Sequence, residues 1–213
     1  MPQLRRLSGL YVITDAALVG GAQLVPAVKA ALQGGARLVQ YRDKSQDAAR
    51  RRQEAEALCR LCHAHNALLI INDDVQLAAD CGADGVHLGK DDAGIQAART
   101  RLGPTAVIGV SCYNDLARAH EAKTAGADYL AFGSFYPSTI KPQAPRATLD
   151  LLRQARCELQ LPLCAIGGIT AGNAAPLLAA GADLVAVISD VFAADDIEAA
   201  AGRYRTLFSA KAP

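Results

Sequence analysis

Acidic residues follow two short apolar runs in the stretch Leu68 to Asp92, LLIINDDVQLAADCGADGVHLGKDD. Asn72, Asp73 and Asp74 come directly after Leu68–Ile71, and Lys90, Asp91 and Asp92 come after Val86–Leu88. Between them Val75–Ala83 is apolar at helical spacing and closes at Gly82. The order is strand, acid, helix, strand, acid. Parallel strands joined by a helix end on the same side of a sheet, so Asp73 and Asp92 are expected to face one pocket. Two carboxylates alone suit Mg²⁺, which takes one or two protein carboxylates and completes its octahedron with phosphate oxygens and water. The competing reading is that each acid caps the helix after it.

The elements that must position these groups can be read along the whole chain. Gly9–Thr14, Ala36–Tyr41, Leu68–Ile71, Val86–Leu88, Ala106–Val110, Tyr129–Phe132, Leu163–Ile166 and Leu184–Ile188 have the composition of strands. Helical spacing is found in Gln23–Gln33, Asp47–His65, Val75–Ala83, Ala93–Leu102, Asp115–Ala125, Leu149–Glu158, Asn173–Ala180 and Asp196–Phe208. Strands alternating with helices over 213 residues predict one α/β domain, a (β/α)8 barrel spanning residues 1–213. Gly34-Gly35-Ala36, Gly82-Ala83-Asp84, Gly126-Ala127-Asp128 and Gly181-Ala182-Asp183 each close a helix just before a strand, with glycine supplying the left-handed turn. The alternative is a doubly wound open sheet, but no GxGxxG follows the first strand.

In a barrel the chemistry sits where the strands end. That rule selects Gln40, Arg42 and Lys44, then Asn72 and Asp73, Asp92, Ser111, the loop residues Ser138, Thr139 and Lys141, Gly167 and Gly168, and Ser189. Arg42, Lys44 and Lys141 would neutralise a polyanion beside the two acids, which together describe a magnesium–diphosphate site. Gly167-Gly168 and Ser189 fit a second phosphate site, built from backbone N–H groups after strands seven and eight. Two anion sites on one face imply two phosphorylated small-molecule substrates, or one substrate with two phosphates. His87 falls inside a strand and His63, His65 and His120 on helices, so no hydrolytic triad is expected.

Composition narrows the classes further. Hydrophobic residues are 51 %, charged residues 20 % and the formal net charge is +1, a core-forming balance without the basicity that nucleic-acid binding demands. No apolar run is long enough to cross a membrane and no secretory leader is visible, which points to the cytoplasm. Cys59-Arg-Leu-Cys62-His63 has the spacing of a c-type haem attachment site, but on a helix Cys59 and Cys62 share one face and are expected in the core.

The motifs QYRDK (Gln40–Lys44), INDD (Ile71–Asp74), GVHLGKDD (Gly85–Asp92), IGVS (Ile108–Ser111), FGSFYPSTIKP (Phe132–Pro142), AIGGIT (Ala165–Thr170) and VIS (Val187–Ser189) together resemble thiamine-phosphate synthase. The resemblance covers nearly the whole chain in order and spacing. It implies a barrel transferase that condenses 4-amino-2-methyl-5-hydroxymethylpyrimidine diphosphate with thiazole phosphate. It implies that Gln40, Arg42, Lys44, Asn72, Ser111 and Lys141 hold the pyrimidine diphosphate, that Asp73 and Asp92 hold Mg²⁺, and that Lys141, Arg42 and Ser111 act on the leaving diphosphate. Ser138, Thr139, Ile140, Gly168, Ile188 and Ser189 would hold the thiazole phosphate. Two positions depart from the family pattern: Ile140 stands where threonine is usual, and Lys90 where glutamine is common.

Two other readings are carried forward. A thiazole tautomerase-like isomerase would handle the thiazole phosphate without a diphosphate site, and Gln40, Arg42, Lys44, Asp73 and Asp92 argue against it. A non-catalytic barrel that binds a phosphorylated ligand has Ile140 as its one support.

Overall fold

The computed structural model describes residues 7–89, 94–137 and 146–209. Eight parallel strands pair in chain order and β8 returns to β1, closing the barrel. The strands are β1 (Gly9–Ile13), β2 (Leu38–Tyr41), β3 (Leu68–Asn72), β4 (Gly85–Leu88), β5 (Val107–Tyr113), β6 (Tyr129–Phe132), β7 (Leu163–Ile166) and β8 (Leu184–Val187). The helices are α1 (Leu24–Gly34), α2 (Ala48–Ala64), α3 (Val75–Cys81), α4 (Ile95–Leu102), α5 (Leu116–Thr124), α6 (Leu149–Leu159), α7 (Ala175–Ala179), α8 (Ser189–Phe192) and α9 (Ile197–Ser209). The (β/α)8 reading therefore holds. Most boundaries shift by one to three residues, and two of the shifts bear on the site. β5 runs past Val110, so Ser111 lies within the strand, where a register shift between Ser111 and Tyr113 bends it against β6. β8 stops at Val187, and Ser189 opens the short helix α8, which the sequence pattern does not reveal.

The core has two layers. Strand residues facing outward pack against the helices, and Cys59 and Cys62 lie there, as their shared helix face predicts. Residues facing inward fill the barrel: Tyr11, Ile13, Leu38, Leu68, Ile70, Val107, Tyr129, Ala131, Cys164, Leu184 and Ala186, with Leu7 among them. Gly109 is the close-approach position of this layer. A Cβ there would lie 1.9 Å from the Tyr129 ring, so only glycine lets that ring cross the barrel.

The Gly-Ala-Asp repeat does more than end helices. Gly82, Gly126 and Gly181 do take positive φ, but the aspartates form a second device. An Asp84 oxygen accepts the Leu69 amide (2.8 Å), Asp128 that of Ile108 (2.7 Å) and Asp183 that of Leu163 (2.9 Å). Each carboxylate also meets a basic side chain from a helix: His63 on Asp84 (3.1 Å), Arg99 on Asp128 (2.7 Å) and Arg156 on Asp183. Three alternate strand pairs, β3–β4, β5–β6 and β7–β8, are thus clamped at their N-terminal ends by an acid from the incoming turn and a base from a helix.

Asp128→Ala leaves both the Ile108 amide and the Arg99 guanidinium without this acceptor. The expected loss is about 1–3 kcal/mol, which at about 2–4 °C per kcal/mol for a chain of this size shows as a lower thermal midpoint by circular dichroism. An unchanged midpoint would mean that the clamp adds nothing to stability.

Candidate active site

A cavity of about 430 Å³ opens at the C-terminal ends of the strands. Gln40, Arg42, Asn72 and Ser111 line it from the β2–β5 half of the barrel, and Gly168, Ile188 and Ser189 from the β7–β8 half. Ile13, Ala131, Ile166 and Val187 add apolar wall. With Gly167, eight residues selected from the sequence therefore converge on one space. Asp92, Ser138, Thr139, Ile140 and Lys141 lie outside the described residues, as does Lys90.

Beneath the cavity a chain of hydrogen bonds crosses the barrel. Gln40 Nε2 donates to the Tyr11 hydroxyl (2.7 Å), which is 2.9 Å from the Tyr129 hydroxyl. The Tyr129 hydroxyl is 2.9 Å from His87 Nδ1, and His87 Nε2 is 2.9 Å from Ser111 Oγ. Burial pushes both phenols above the usual tyrosine range, so each stays protonated and has one hydrogen to give. Either phenol can be the donor of the Tyr11–Tyr129 bond; with Tyr11 as donor, Tyr129 donates to His87 Nδ1 and His87 Nε2–H to Ser111. The Ser111 hydrogen is then left to donate into the cavity, and the Gln40 carbonyl is the end of that side chain not committed to Tyr11.

The expectation of no hydrolytic triad does not foresee that a histidine and a serine meet here. His87 does meet Ser111, but its other nitrogen faces a phenol where a hydrolytic triad has a carboxylate. His87, Tyr11 and Tyr129 were missed because strand positions were read only as core. The signal was a histidine and two tyrosines at inward positions of strands. Arg118 was also missed: it donates to the carbonyls of Ser111 (2.7 Å) and Gly89 (3.0 Å) and ties together the ends of β4 and β5.

Adjacent aspartates divide the two roles foreseen for them. Asp74 caps α3, accepting from the Leu77 amide (2.8 Å), and holds Arg51 (2.8 Å). Asp73 has φ +63° and turns elsewhere. Its Oδ2 accepts from Lys44 Nζ (2.5 Å) and from Asn72 Nδ2 (2.6 Å), so capping is not its role. Lys44 and Asp73 stand beside the cavity rather than among its lining residues. Arg42, which does line it, is 3.8 Å from Asp15. No group of three or more His, Cys, Asp or Glu gathers among the described residues.

The opposite wall is built from three loops. The segment after β6 docks on the segment after β7 through Phe135 N to Ile166 O (3.2 Å) and Tyr136 N to Gly167 O (2.9 Å). Asn173 Nδ2 donates to Gly168 O (3.1 Å). A Cβ on Gly168 would lie 2.2 Å from Pro137 O, so the backbone here must be bare, and its φ is +63°. Asp190, on α8, accepts from the Ala171 amide (3.2 Å) and the Tyr204 hydroxyl (2.6 Å). It locks the β7 loop to the start of α8, where Ser189 presents the first helical amide at the cavity.

Residues 10–191 match the model of a family described as thiamine monophosphate synthase. A thiamine-phosphate synthase of Nitrosococcus oceani is 57 % identical over 202 residues, covering 95 % of this chain and 93 % of that protein. One from Halorhodospira halophila is 54 % identical over 199 residues, with 93 % of each covered. Among solved structures, a thiamine phosphate pyrophosphorylase from Pyrococcus furiosus superposes with TM-score 0.88 at 36 % identity, covering 99 % of this chain and 100 % of that one.

Two outcomes follow from the buried chain. Tyr129→Phe strips the hydrogen-bond partner from His87 Nδ1 and from the Tyr11 hydroxyl, both in the barrel interior, and costs about 1–3 kcal/mol in urea denaturation. A loss below about 0.5 kcal/mol contradicts a continuous chain. Burial also raises the phenols of Tyr41 and Tyr204, with Glu54 and Asp190 adding to it. A phenol whose folded pKa is raised contributes stability that is complete below the ordinary value of 10.0 and is lost as pH rises through the raised one. The phenol contribution to the denaturation midpoint is therefore constant below 10.0 and falls above it, adding to the loss from the buried thiols of Cys62, Cys112 and Cys164 that begins above 9.0, and tyrosinate absorbance from these four residues appears together with unfolding.

Proposed function

This chain belongs to the thiamine monophosphate synthase family, and from that premise we propose how its cavity makes thiamine phosphate. The reaction condenses 4-amino-2-methyl-5-hydroxymethylpyrimidine diphosphate with thiazole phosphate and releases diphosphate. One observation carries the assignment of parts: a single cavity has a cationic, amide- and hydroxyl-bearing wall at β2–β5 and a bare-backbone wall at β7–β8. Two phosphorylated substrates placed against those walls bring their rings together over the apolar floor.

In this reading Gln40, Arg42, Lys44, Asn72, Ser111 and Lys141 hold the pyrimidine diphosphate. Arg42 and Lys141 neutralise the leaving group, and Ser111, its oxygen already engaged by His87, donates its hydrogen to a diphosphate oxygen. The Gln40 carbonyl is free of Tyr11 and accepts from the exocyclic amine of the pyrimidine. Asp73 and Asp92 would hold Mg²⁺, which when bound supplies charge neutralisation at the diphosphate. The bond from the pyrimidine methylene carbon to oxygen breaks first, and diphosphate departs with the electron pair. The thiazole nitrogen then gives its lone pair to that carbon. Amides of Gly168 and Ser189, the Ile188 position and the loop Ser138–Ile140 hold the thiazole phosphate so that this nitrogen faces the carbon. No acid or base has to move a proton, which agrees with a site whose histidine is committed to structure. The six cysteines are all unpaired, which supports a reducing, cytoplasmic setting. No described helix is long and apolar enough to cross a membrane.

The test is incubation with both substrates and Mg²⁺, following diphosphate and thiamine phosphate together. Thiazole isomerisation without diphosphate release, or ligand binding without turnover, would sink the transferase reading. Asp73→Asn is expected to depress turnover sharply and raise the Mg²⁺ concentration for half-maximal rate, with an unchanged circular dichroism spectrum. Near-normal activity of Asp73→Asn combined with Asp92→Asn rules out the metal role. Lys141→Ala is expected to slow single-turnover bond cleavage about ten- to a hundred-fold, the worth of one charge-assisted contact, and to weaken thiazole phosphate binding less. Ile140→Thr is expected to lower the KM for thiazole phosphate by at most about ten-fold, the worth of one neutral hydrogen bond. If it instead switches on an inactive protein, the loop is a disabled site.

A further inference from the structure

The clamp at the N-terminal end of the barrel recurs three times and is broken the fourth time. At Asp84, Asp128 and Asp183 the residue's own amide donates to the carbonyl of Leu69, Ile108 or Leu163, and its carboxylate takes the amide of that same residue. The fourth unit keeps the backbone half of this pattern, since the Arg37 amide donates to Leu10 O (2.9 Å). By the same offset the amide due a carboxylate is that of Leu10, but residue 37 is an arginine and brings none.

The basic half of the clamp is still present. Arg156 lies over Gly181, where a Cβ would be 2.9 Å from Arg156 Cβ, and Arg205 lies over Gly35, where a Cβ would be 3.4 Å from Arg205 Cδ. Arg205 on α9 therefore stands where Arg156 stands on α6, without the acid that Arg156 holds. Among the described residues neither Arg37 nor Arg205 has an acidic partner, and both side chains are exposed. Between them is a cavity of about 210 Å³, also lined by Ser8, Leu10, Gly35 and Ser209. Two arginines, two serines and Leu10 line one space where three sister units hold a carboxylate.

We infer that this pocket, at the opposite end of the barrel from the reaction, binds a compact oxyanion, the phosphate or carboxylate group of a small ligand, in place of the missing aspartate. The ligand completes the fourth clamp and ties α9 to the β1–β2 pair. Arginine pairs of this kind take two oxygens of a phosphate or carboxylate at once. The site is independent of the reaction proposed above.

The test uses the full chain and inorganic phosphate, with acetate as the second probe, at constant ionic strength. Arginine Nε–H resonances are followed, those of Arg37 and Arg205 being assigned by their loss in Arg37→Asp and Arg205→Gln. Both are expected to shift together and saturate with phosphate. An equal response to acetate identifies a carboxylate ligand, and a response to phosphate alone identifies a phosphoryl group. Arg37→Asp rebuilds the clamp seen in the other units. It is expected to abolish the phosphate response of Arg205 and to raise the thermal midpoint in anion-free buffer by a few degrees, with turnover unchanged. Arg205→Gln is expected to raise the half-saturating phosphate concentration at Arg37 about ten-fold or more. Shifts confined to other arginines, or a full Arg205 response surviving in Arg37→Asp, would overturn the site.

Discussion

A closed barrel of eight strands has an interior that only its own side chains can fill, and here part of that filling is polar. Tyr129 reaches across because Gly109 has no side chain, and its hydroxyl meets Tyr11 and His87 far from water. Buried polar groups hold only when every partner is supplied. The chain from Gln40 to Ser111 meets that condition by ending at two residues on the cavity wall. The same bonds that make the interior tolerable therefore fix the orientation of both end groups. Stability and positioning are one interaction in this layer.

The barrel was legible because its signals repeat. Strand-length apolar runs alternate with helical spacing, and glycine marks the helix ends before strands. The strand-end rule then found the cavity: Gln40, Arg42, Asn72, Ser111, Gly167, Gly168 and Ser189 all line it, and Ile188, which the family resemblance added, lines it too. What escaped has physical reasons. Helix α8 is four residues long, too short for periodicity to show. Ser111 lies within β5 because of a register shift that depends on pairing with β6. The aspartates of Gly-Ala-Asp looked like turn residues because their partners lie 15 to 29 positions away.

Asp73 and Asp74 show the limit of composition as a guide. Both follow β3 and precede α3, and either could cap the helix. The positive φ of Asp73 separates them, sending Asp74 to the Leu77 amide and Asp73 to Lys44 and Asn72. Backbone conformation, not residue type, decides which carboxylate belongs to the site.

The clamps also bear on how the ring comes together. Each joins segments close along the chain: His63 to Asp84, Arg99 to Asp128 and Arg156 to Asp183 are 21, 29 and 27 positions apart. Contacts this local close small loops, and their entropic cost is correspondingly low. The seam between β1 and β8 is different, because Gly9 pairs with Leu184 and nearly the whole chain lies between them. Local pairs can assemble as separate cooperative pieces, while the seam is the one junction whose formation must organise all of them.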